Sequence, residues 1–503
     1  MVLLCASCRD KVSDRDKDIN IEAFSDLRTP VFSLDSKEIR RIVDSLCYGE
    51  KSYFAGDRLA KNHYLGGGEY LWIDRYGVDS RADSLLAVLA DVGDVGFSKD
   101  AFFVDVIASD LVRMRNLDFD ESSNTVNHVL GRLEYFLTKA CFRYCVGMRF
   151  GFVNPEYEFN RLDTLDSSSG VKRFRKLFDI DIQHQDKAYL EHMLECISSG
   201  KIRELTSGLE PQDSLYVELK SKLKHASGDF RRQILCNMER CRWRMPDKDA
   251  HDGRLVVVNI PAFHLYAYGG DSVLDMRIGC GSRKTKTPLL VSRIERMDVN
   301  PVWNIPYSII KADIVHRATD TVYFNRNRYY VVDRETGERV AQSNVTSDML
   351  RSGNYRVVQE GGEGNSLGRI IFRFPNNFSV FLHDTSSKRV FASSVRSVSH
   401  GCVRVQKPFE LAEFLLNGAD EWTLDKLRIS MGLQPMTERG LELVARNRDK
   451  ELSLVKSLRV SPSVPLHIIY YTLYYDESGR LCTYRDIYGY DSVIYDNIKL
   501  LVG

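Results

Sequence analysis

One cysteine lies in a setting that could make it a nucleophile. Cys402 occurs in the run SHGCVRV, residues 399–405, and His383 lies nineteen residues before it. A thiol is a weak nucleophile until a neighbouring base or positive charge favours its thiolate. The candidates for that role are His383, His400 and Arg404. The expected chemistry is attack by the sulfur of Cys402, with a histidine as proton acceptor.

Gly401 bears on the same chemistry through the backbone. Because it has no side chain, a substrate carbonyl could approach the chain closely there, and the N–H groups of Gly401 and Cys402 could form an oxyanion hole. Cysteine and histidine nevertheless co-occur in many proteins whose thiols are inert. The residues alone therefore leave open a catalytic Cys402 and a buried, unreactive one. They also allow Arg404 as a surface charge and His400 as a structural histidine.

The other cysteines do not form a disulfide pattern, because the total of eleven is odd and the spacing is irregular. Cys141 and Cys145 lie four residues apart on a predicted helix. They could share a metal ion, but core packing is the favoured interpretation because no histidine is near. Cys5 and Cys8 form a CxxC pair without the second ligand pair that metal chemistry would need. Neither pair of cysteines is therefore expected to bind a metal ion.

The first twenty residues have some features of a targeting segment. A short apolar run precedes Cys5 and Cys8 and is followed by polar residues. A complete secretory signal would need a basic start and a longer apolar region. The run LCASC resembles the end of a bacterial lipoprotein signal, in which Cys8 would carry the lipid. A disordered terminus is the alternative.

Composition excludes several classes of protein. The chain has 503 residues, with 70 basic and 69 acidic side chains, and its length is enough for about two to four domains. A net charge near zero argues against nucleic-acid binding. No apolar run approaches the roughly 18 residues of a membrane span.

Helical patterns dominate the first half of the chain. Apolar residues recur at helical spacing in 85–92 and 133–148, with Gly93 and Gly151 as predicted helix ends. A charged stretch at 171–245 also favours helix. Apolar stripes of this kind usually indicate a core, so this half alone predicts no function.

Strand patterns dominate the second half. Apolar runs flank the turn signals at 269–271, 375–377 and 476–479, which predicts three hairpins. One helix is expected at 408–417, with Pro408 at its first position and a glycine just beyond its end. The predicted fold class is therefore α+β.

The segment FLHDTSSKRVFASSVRSVSHGCVRVQKPFELAEFLL resembles the signature of bacterial L,D-transpeptidases with a YkuD-type catalytic domain. It is most similar to their YcbB-like branch, and so are RLVVVNIPAFHLYAY, NPVWNIPYSI, GNSLGRIIFRFPN and RDIYGYD. Weaker similarity to the scaffold domain of that branch runs through LEPQDSLYVELKSKL and NMERCRW. The resemblance implies a disordered or lipoprotein-signal remnant at 1–20, a helical scaffold domain at 21–250 and a β-rich catalytic domain at 251–498.

The resemblance also implies roles for individual residues. Cys402 would be the nucleophile, His383 the general acid and base, and Gly401 part of the oxyanion-hole backbone. His400 would orient His383, unless a backbone carbonyl does so. The implied substrate-binding residues are Arg404, Ser399 and Phe381.

The implied reaction is peptidoglycan cross-linking, which would need no metal or organic cofactor. Cys402 would attack the carbonyl of the third residue of a tetrapeptide stem, D-alanine would leave, and the amine of a second stem would take the acyl group in a 3→3 cross-link. An L,D-carboxypeptidase would use the same residues with water as acceptor, and a non-catalytic cell-wall scaffold is an alternative of another class. The implied partners are peptidoglycan stems, carbapenem inhibitors and other cell-wall synthesis proteins. The implied location is the periplasm or cell envelope, with a lipid anchor at Cys8.

Three features qualify the resemblance. Residues 225–233 are too few for the peptidoglycan-binding module that the branch usually carries there. Phe381 occupies a position where relatives often have tyrosine. The insertion at 317–361 corresponds to a capping subdomain, whose exit at Gly361-Gly362 would suit a mobile lid. A passive surface insertion is the alternative.

Overall fold

In a computed structural model, the described residues are 30–52, 54–74, 76–165, 172–246, 253–270, 272–448 and 450–502. Cys5, Cys8 and the predicted remnant at 1–20 lie outside these residues. The described chain forms two compact units, each assembled from separate segments. The first takes its described residues from 1–154, 183–244 and 492–503, and the second from 155–182 and 245–491.

The first unit is helical, as predicted. Five of its helices begin with a side chain whose oxygen accepts a hydrogen bond from a backbone N–H of the first turn. This satisfies donors that a helix otherwise leaves unpaired. The capping residues are Asp35, Asp79, Thr125, Asp186 and Asp213. Its helices are Ser36–Gly49, Ala55–Leu65, Ser80–Leu89, Val104–Asn116, Val126–Phe150, Lys187–Ser198, Ile202–Thr206, Ser214–Leu223 and Gly228–Arg242. Tyr490–Ile498 is the last helix of the described chain.

The helix Val126–Phe150 is central to this unit because most of its residues are buried. It ends at Gly151, at φ 93°, as the sequence predicts. Its Glu134 side chain is fully buried and accepts hydrogen bonds from backbone N–H groups of the segment 71–73. Cys141 and Cys145 are both 0% exposed, which confirms that they pack in the core.

The charged stretch at 171–245 is less helical than predicted. Its first part contains the strands Arg173–Phe174 and Phe178–Asp179, and helix begins only at Lys187. The Asn160 side chain accepts hydrogen bonds from the N–H groups of Leu177 and Phe178 at 2.7 and 2.9 Å. These contacts hold the backbone extended in spite of its helix-favouring composition.

The main sheet of the second unit closes on itself. Eight of its ten strands form a ring: β1 Leu255–Asn259, β2 His264–Gly269, β3 Ser272–Gly281, β4 Leu289–Val299, β5 Ile370–Arg373, β6 Leu382–His383, β7 Val403–Val405 and β8 Ser457–Ile469. Their order is β5–β6–β7–β3–β2–β1–β8–β4, and β4 also pairs with β5, so they form a barrel in which β6–β7 and β1–β8 are the parallel pairs. The two short strands outside the ring, Phe178–Asp179 and Ser397–Ser399, pair parallel with β4 and β3 respectively.

The three predicted hairpins are present. Gly269 pairs with Ser272 between β2 and β3, and β5 pairs antiparallel with β6 across the turn at 375–377. Leu473–Tyr475 pairs with Leu481–Thr483 around the third turn. The predicted helix is Pro408–Leu416, with proline in its first turn. The other α-helices of the barrel unit are Pro155–Phe159, Glu421–Ser430 and Glu438–Arg446.

A smaller subdomain is inserted between β4 and β5. Its sheet contains Trp303–Asn304, Tyr355–Gln359, Tyr329–Asp333 and Arg339–Val340 in that order. Its helices are Tyr307–Ile309, the π-helix Ile310–Ile314, Thr321–Arg326 and Ser347–Ser352. Its own hydrophobic core includes Ile305, Ile314, Phe324 and Val357. The predicted start at residue 317 is therefore too late, because the preceding residues supply the first strand and part of this core.

Two further observations concern the whole described chain. The helices Ser214–Leu223 and Gly228–Arg242 are joined through residues 224–227, which are too few to form a further domain there. Among the described residues, no helix has both the length and the apolar character needed to cross a membrane.

Candidate active site

Cys402 and His383 are brought together by the register of two neighbouring parallel strands. Leu382 pairs with Val403, and His383 pairs with Arg404. Residues two positions apart on a strand share a face, so His383 and Cys402 lie on one face as diagonal neighbours. Side chains in that relationship are within reach of each other. The register therefore puts the imidazole and the thiol on the same face of the sheet.

The alternate residues of the same strands fill the barrel. Leu382 and Val403 are 0% and 1% exposed, whereas Cys402 is only partly buried. A shift of one residue in the pairing would turn Cys402 inward and Val403 outward. The hydrophobic core therefore specifies the face on which the thiol lies.

The His383 ring is held by the backbone of the next residue. Its Nδ1 donates to the carbonyl oxygen of Asp384. Because a carbonyl can only accept, Nδ1 carries the proton, and Nε2 of the neutral ring is left as a base. Burial lowers the pKa of His383 to about 4, and the positive charge of Arg404 is the second cause of this shift. Hydrogen bonds to the backbone of Asp384 and Leu367 raise the pKa and only partly offset it. His383 is therefore neutral at pH 7.

Asp384 fixes this arrangement, and sequence reasoning did not single it out. Its N–H donates to the carbonyl of Ile370 at 2.9 Å, and its carboxylate accepts from the N–H of Arg369 at 2.8 Å and pairs with Lys388. The carboxylate lies against Gly368, at φ 64°, where a Cβ would come within 2.4 Å of it. The available signal was an acid directly after the strand histidine, with a lysine four residues later.

Ser399 closes the loop that carries Cys402. Its hydroxyl donates to the carbonyl of Cys402 at 2.6 Å and accepts from the N–H of Gly401 at 3.1 Å. Its own carbonyl accepts from Ser282 N–H at 3.0 Å and from Thr285 Oγ1 at 2.9 Å. The predicted substrate contact of Ser399 is not what this geometry favours, because the single hydroxyl proton is used within the loop.

Gly401 is required by the backbone conformation of this loop. Its φ is 125°, which side chains rarely tolerate, whereas a Cβ there would meet nothing closer than Val380 at 3.6 Å. Its carbonyl accepts from Thr287 Oγ1 at 2.8 Å. The N–H of Gly401, which was predicted as an oxyanion-hole donor, already donates a hydrogen bond to the Ser399 hydroxyl. The N–H of Cys402 has no hydrogen-bond acceptor among the described residues, so it is the available donor.

The thiol of Cys402 experiences opposing influences. Burial raises its pKa, while a backbone hydrogen bond from Phe381 and the positive charge of Arg404 lower it. Burial is the largest of these, so the pKa lies above its usual value. The Nε of Arg404 is buried without a hydrogen-bond partner among the described residues. The resting site therefore contains a neutral thiol, a neutral imidazole and one nearby cation.

His400 lies elsewhere than its predicted role requires. Its side chain is about half exposed, and its Nε2 is 3.9 Å from Oδ2 of Asp313 in the π-helix of the inserted subdomain. The orienting role belongs instead to the backbone carbonyl of Asp384, because that group occupies Nδ1 of His383. His400 links the nucleophile loop to the inserted subdomain.

Phe381 directly precedes β6, and its ring contacts the ring of His383. Their ring centroids are 6.5 Å apart at 72°, an edge contact. The guanidinium of Arg373, on the neighbouring strand β5, lies 5.3 Å from the centroid of the Phe381 ring.

In the described part of the chain, no group of three or more histidine, cysteine or acidic side chains could hold a metal ion.

Comparison with known proteins found a family match in each half of the chain. Residues 253–429, which include Cys402 and His383, match the L,D-transpeptidase catalytic domain, YkuD. Residues 59–223 match a family described as the scaffold domain. A protein of Haemophilus influenzae assigned by name to the L,D-transpeptidases is 26% identical over 320 residues, or 62% of this chain and 60% of the relative's length. The chain thus matches about three fifths of that relative. These matches support an enzyme of the L,D-transpeptidase type, and the YcbB-like branch stays a prediction.

Proposed function

We propose that this protein is a peptidoglycan L,D-transpeptidase that forms 3→3 cross-links through a thioester on Cys402. The observation that carries the proposal is the strand register, in which His383 and Cys402 are diagonal neighbours on one face. The match of residues 253–429 to the L,D-transpeptidase catalytic domain supports it. Neither step needs a cofactor.

In the first step, the enzyme is acylated. Nε2 of His383 takes the proton of Cys402 as the sulfur attacks the carbonyl of the third residue of a tetrapeptide stem. The Cys402 N–H stabilises the oxyanion. The C–N bond to the terminal D-alanine then breaks, and His383 returns its proton to the leaving amine. Because thiol and imidazole are both neutral at rest, His383 acts as a base during attack.

In the second step, the acyl group is transferred. The side-chain amine of another stem attacks the thioester, its proton passes to His383, and the thiolate leaves and is reprotonated. The product is an amide that joins two stems. If water were the acceptor, the product would be a shortened tripeptide, the outcome of an L,D-carboxypeptidase.

The proposed substrate determines the proposed location. Peptidoglycan lies outside the cytoplasm, so the enzyme would act in the periplasm or cell envelope, with a lipid on Cys8 as its anchor. Carbapenems, as acylating inhibitors of Cys402, and other cell-wall synthesis proteins are the remaining proposed partners. The inserted subdomain would act as a lid through the His400–Asp313 contact.

Intact-protein mass spectrometry tests the proposal. The full chain, Cys402→Ala and the control Cys482→Ala, which changes another partly buried cysteine, are mixed with a carbapenem and then with disaccharide-tetrapeptide. We expect an adduct on the wild type and the control, none on Cys402→Ala, and a dimeric product that lacks one D-alanine. If the only product is tripeptide, the protein is an L,D-carboxypeptidase rather than a transpeptidase. If the folded wild type gives neither adduct nor product, the non-catalytic scaffold is favoured.

A further inference from the structure

The loop that carries Cys402 is held at successive peptide groups. The carbonyl of Ser399 accepts from the N–H of Ser282, and the hydroxyl of Ser399 accepts from the N–H of Gly401 at 3.1 Å. The carbonyl of Gly401 accepts from Oγ1 of Thr287 at 2.8 Å. The carbonyl of Cys402 accepts from the Ser399 hydroxyl at 2.6 Å. Each peptide group of this loop therefore has a fixed hydrogen bond, whereas the N–H of Cys402 has no acceptor among the described residues.

Thr287 holds the peptide group that joins Gly401 to Cys402. A trans peptide group is planar, so its C=O and its N–H point in opposite directions. The hydrogen bond from Thr287 to the Gly401 carbonyl therefore also sets the direction of the Cys402 N–H. Gly401, at φ 125°, has no side chain that would limit the rotation of this peptide group. Loss of the Thr287 hydroxyl would leave the group free to turn.

The direction of the Thr287 hydroxyl proton follows from its two neighbours. Oγ1 accepts from the N–H of Gly281 at 2.8 Å, whereas the Gly401 carbonyl can only accept. The proton of Oγ1 therefore points at Gly401. A hydrogen bond to a carbonyl polarises its peptide group, and this makes the N–H of the same group a better donor. Thr287 thus both directs and strengthens the N–H of Cys402.

Thr287 is itself fixed by the barrel. It is 0% exposed, and its backbone N–H donates to Oη of Tyr488 at 3.1 Å. The Tyr488 hydroxyl in turn donates to the carbonyl of Gly281 at 2.6 Å. Gly281 is the last residue of β3. The position of Oγ1 is therefore set by the end of a barrel strand and a buried tyrosine, and not by the loop that it holds.

We propose that Thr287 is a positioning residue for acylation, which holds the Gly401–Cys402 peptide so that the Cys402 N–H meets the oxyanion. As the sulfur adds to the substrate carbonyl carbon, an electron pair of the C=O bond moves to the oxygen. The charge that develops there is stabilised by a donor whose direction is already fixed. The inference rests on the proposed function, because acylation of Cys402 is the step that Thr287 assists.

Two reactions of Cys402 in the full chain separate this role from a general effect on the loop. p-Nitrophenyl acetate acylates the sulfur through an oxyanion, whereas iodoacetamide alkylates it by displacement of iodide and forms none. Thr287→Val removes the hydroxyl with little change of shape, and Thr287→Ser keeps it. We expect Thr287→Val to slow acylation roughly 10- to 100-fold with alkylation unchanged, and Thr287→Ser to retain most of the acylation rate. Mass spectrometry of digested protein assigns each modification to Cys402.

Thr285→Val is the matched control. Oγ1 of Thr285 donates to the carbonyl of Ser399 at 2.9 Å, so this variant removes a similar bond without releasing the peptide that carries the donor. We expect it to slow acylation much less than Thr287→Val does, and thermal unfolding measures the stability that each variant loses. Equal slowing of acylation and alkylation by Thr287→Val would overturn the positioning role. Equal slowing of acylation by the two valine variants would also overturn it, as would a wild type that the ester does not acylate at Cys402.

The ester also separates this inference from the proposed function, because it is not a cell-wall peptide. If ester acylation depends on Thr287 but the wild type does not convert disaccharide-tetrapeptide, the proposed function fails and the positioning role stands. If the wild type makes the cross-linked dimer but ester acylation does not depend on Thr287, the positioning role alone fails.

Discussion

His383 and Arg404 are directly paired across the parallel strands β6 and β7. The guanidinium of Arg404 therefore lowers the pKa of the imidazole, and it also lowers that of the Cys402 thiol. One cation thus favours the basic form of His383 and the nucleophilic form of Cys402. Burial acts in the same direction as Arg404 on the imidazole and against it on the thiol.

The first prediction concerns the pH dependence of acylation. Because the pKa of His383 is about 4, the base is already neutral in weak acid. The rate of carbapenem acylation of Cys402 is expected to rise through about pH 4 and to stay flat from about pH 5 to pH 8. Stopped-flow fluorescence or quenched-flow mass spectrometry would measure it. An acid limb near 6.5 would contradict the electrostatic description of His383.

The second prediction concerns Arg404. Arg404→Gln removes the charge that lowers both pKa values, so the acid limb of acylation is expected to move up by roughly one pH unit and the plateau rate to fall about tenfold. Arg404→Lys keeps a cation and is expected to retain most of the rate. Identical profiles for the two variants would show that charge is not what Arg404 contributes.

The third prediction links His383 to stability. Its folded-state pKa is lowered from 6.5 to about 4, so the folded state binds fewer protons than the unfolded state between these values. The stabilisation by neutral His383 is present above about pH 6.5 and is lost as pH falls toward 4, by at most about 3 kcal/mol. Urea unfolding of the wild type and His383→Gln at several pH values would measure it. Parallel pH profiles of the two proteins would contradict this linkage.

The fourth prediction concerns the nucleophile loop. Ser399→Ala removes a hydrogen-bond donor to Cys402 and an acceptor for Gly401, so we expect a loss of about 1–3 kcal/mol in stability. A slower acylation should accompany it, because the oxyanion donor is on the same loop. Ser393→Ala is the matched control, since Ser393 makes the same two kinds of bond with Val395 in an exposed loop. Equal acylation rates for Ser399→Ala and Ser393→Ala would show that Ser399 does not position the nucleophile loop for acylation.

Features carried by side-chain pattern could be predicted from the sequence. Gly151 ends its helix and Pro408 begins another because each acts on its own backbone. The prediction that Cys402 acts together with His383 came from residue types and family resemblance, and the register puts both on one face. Ring closure between β4 and β5 could not be predicted, since no local pattern records which strand becomes the neighbour of another.

The features that the sequence left open or missed are mostly backbone groups. The group that orients His383 is the carbonyl of Asp384, which every residue type would supply. The N–H of Gly401 is engaged because Ser399 turns back toward it, a consequence of loop conformation. The pairing of Arg296 with both Arg373 and Arg459 is visible only in the strand register, because these residues are far apart in sequence.

Barrel closure has a consequence for when the enzyme becomes competent during its biogenesis. The parallel pair β1–β8 joins Val256 to Leu466, some 210 residues apart along the chain. Contacts this distant form slowly, because a long loop must be ordered before they are made. A nascent chain that has emerged only as far as Cys402 still lacks the strand that completes the ring. The thiol therefore acquires its final environment after the chain has emerged beyond β8, so the timing of reactivity is coupled to the completion of synthesis.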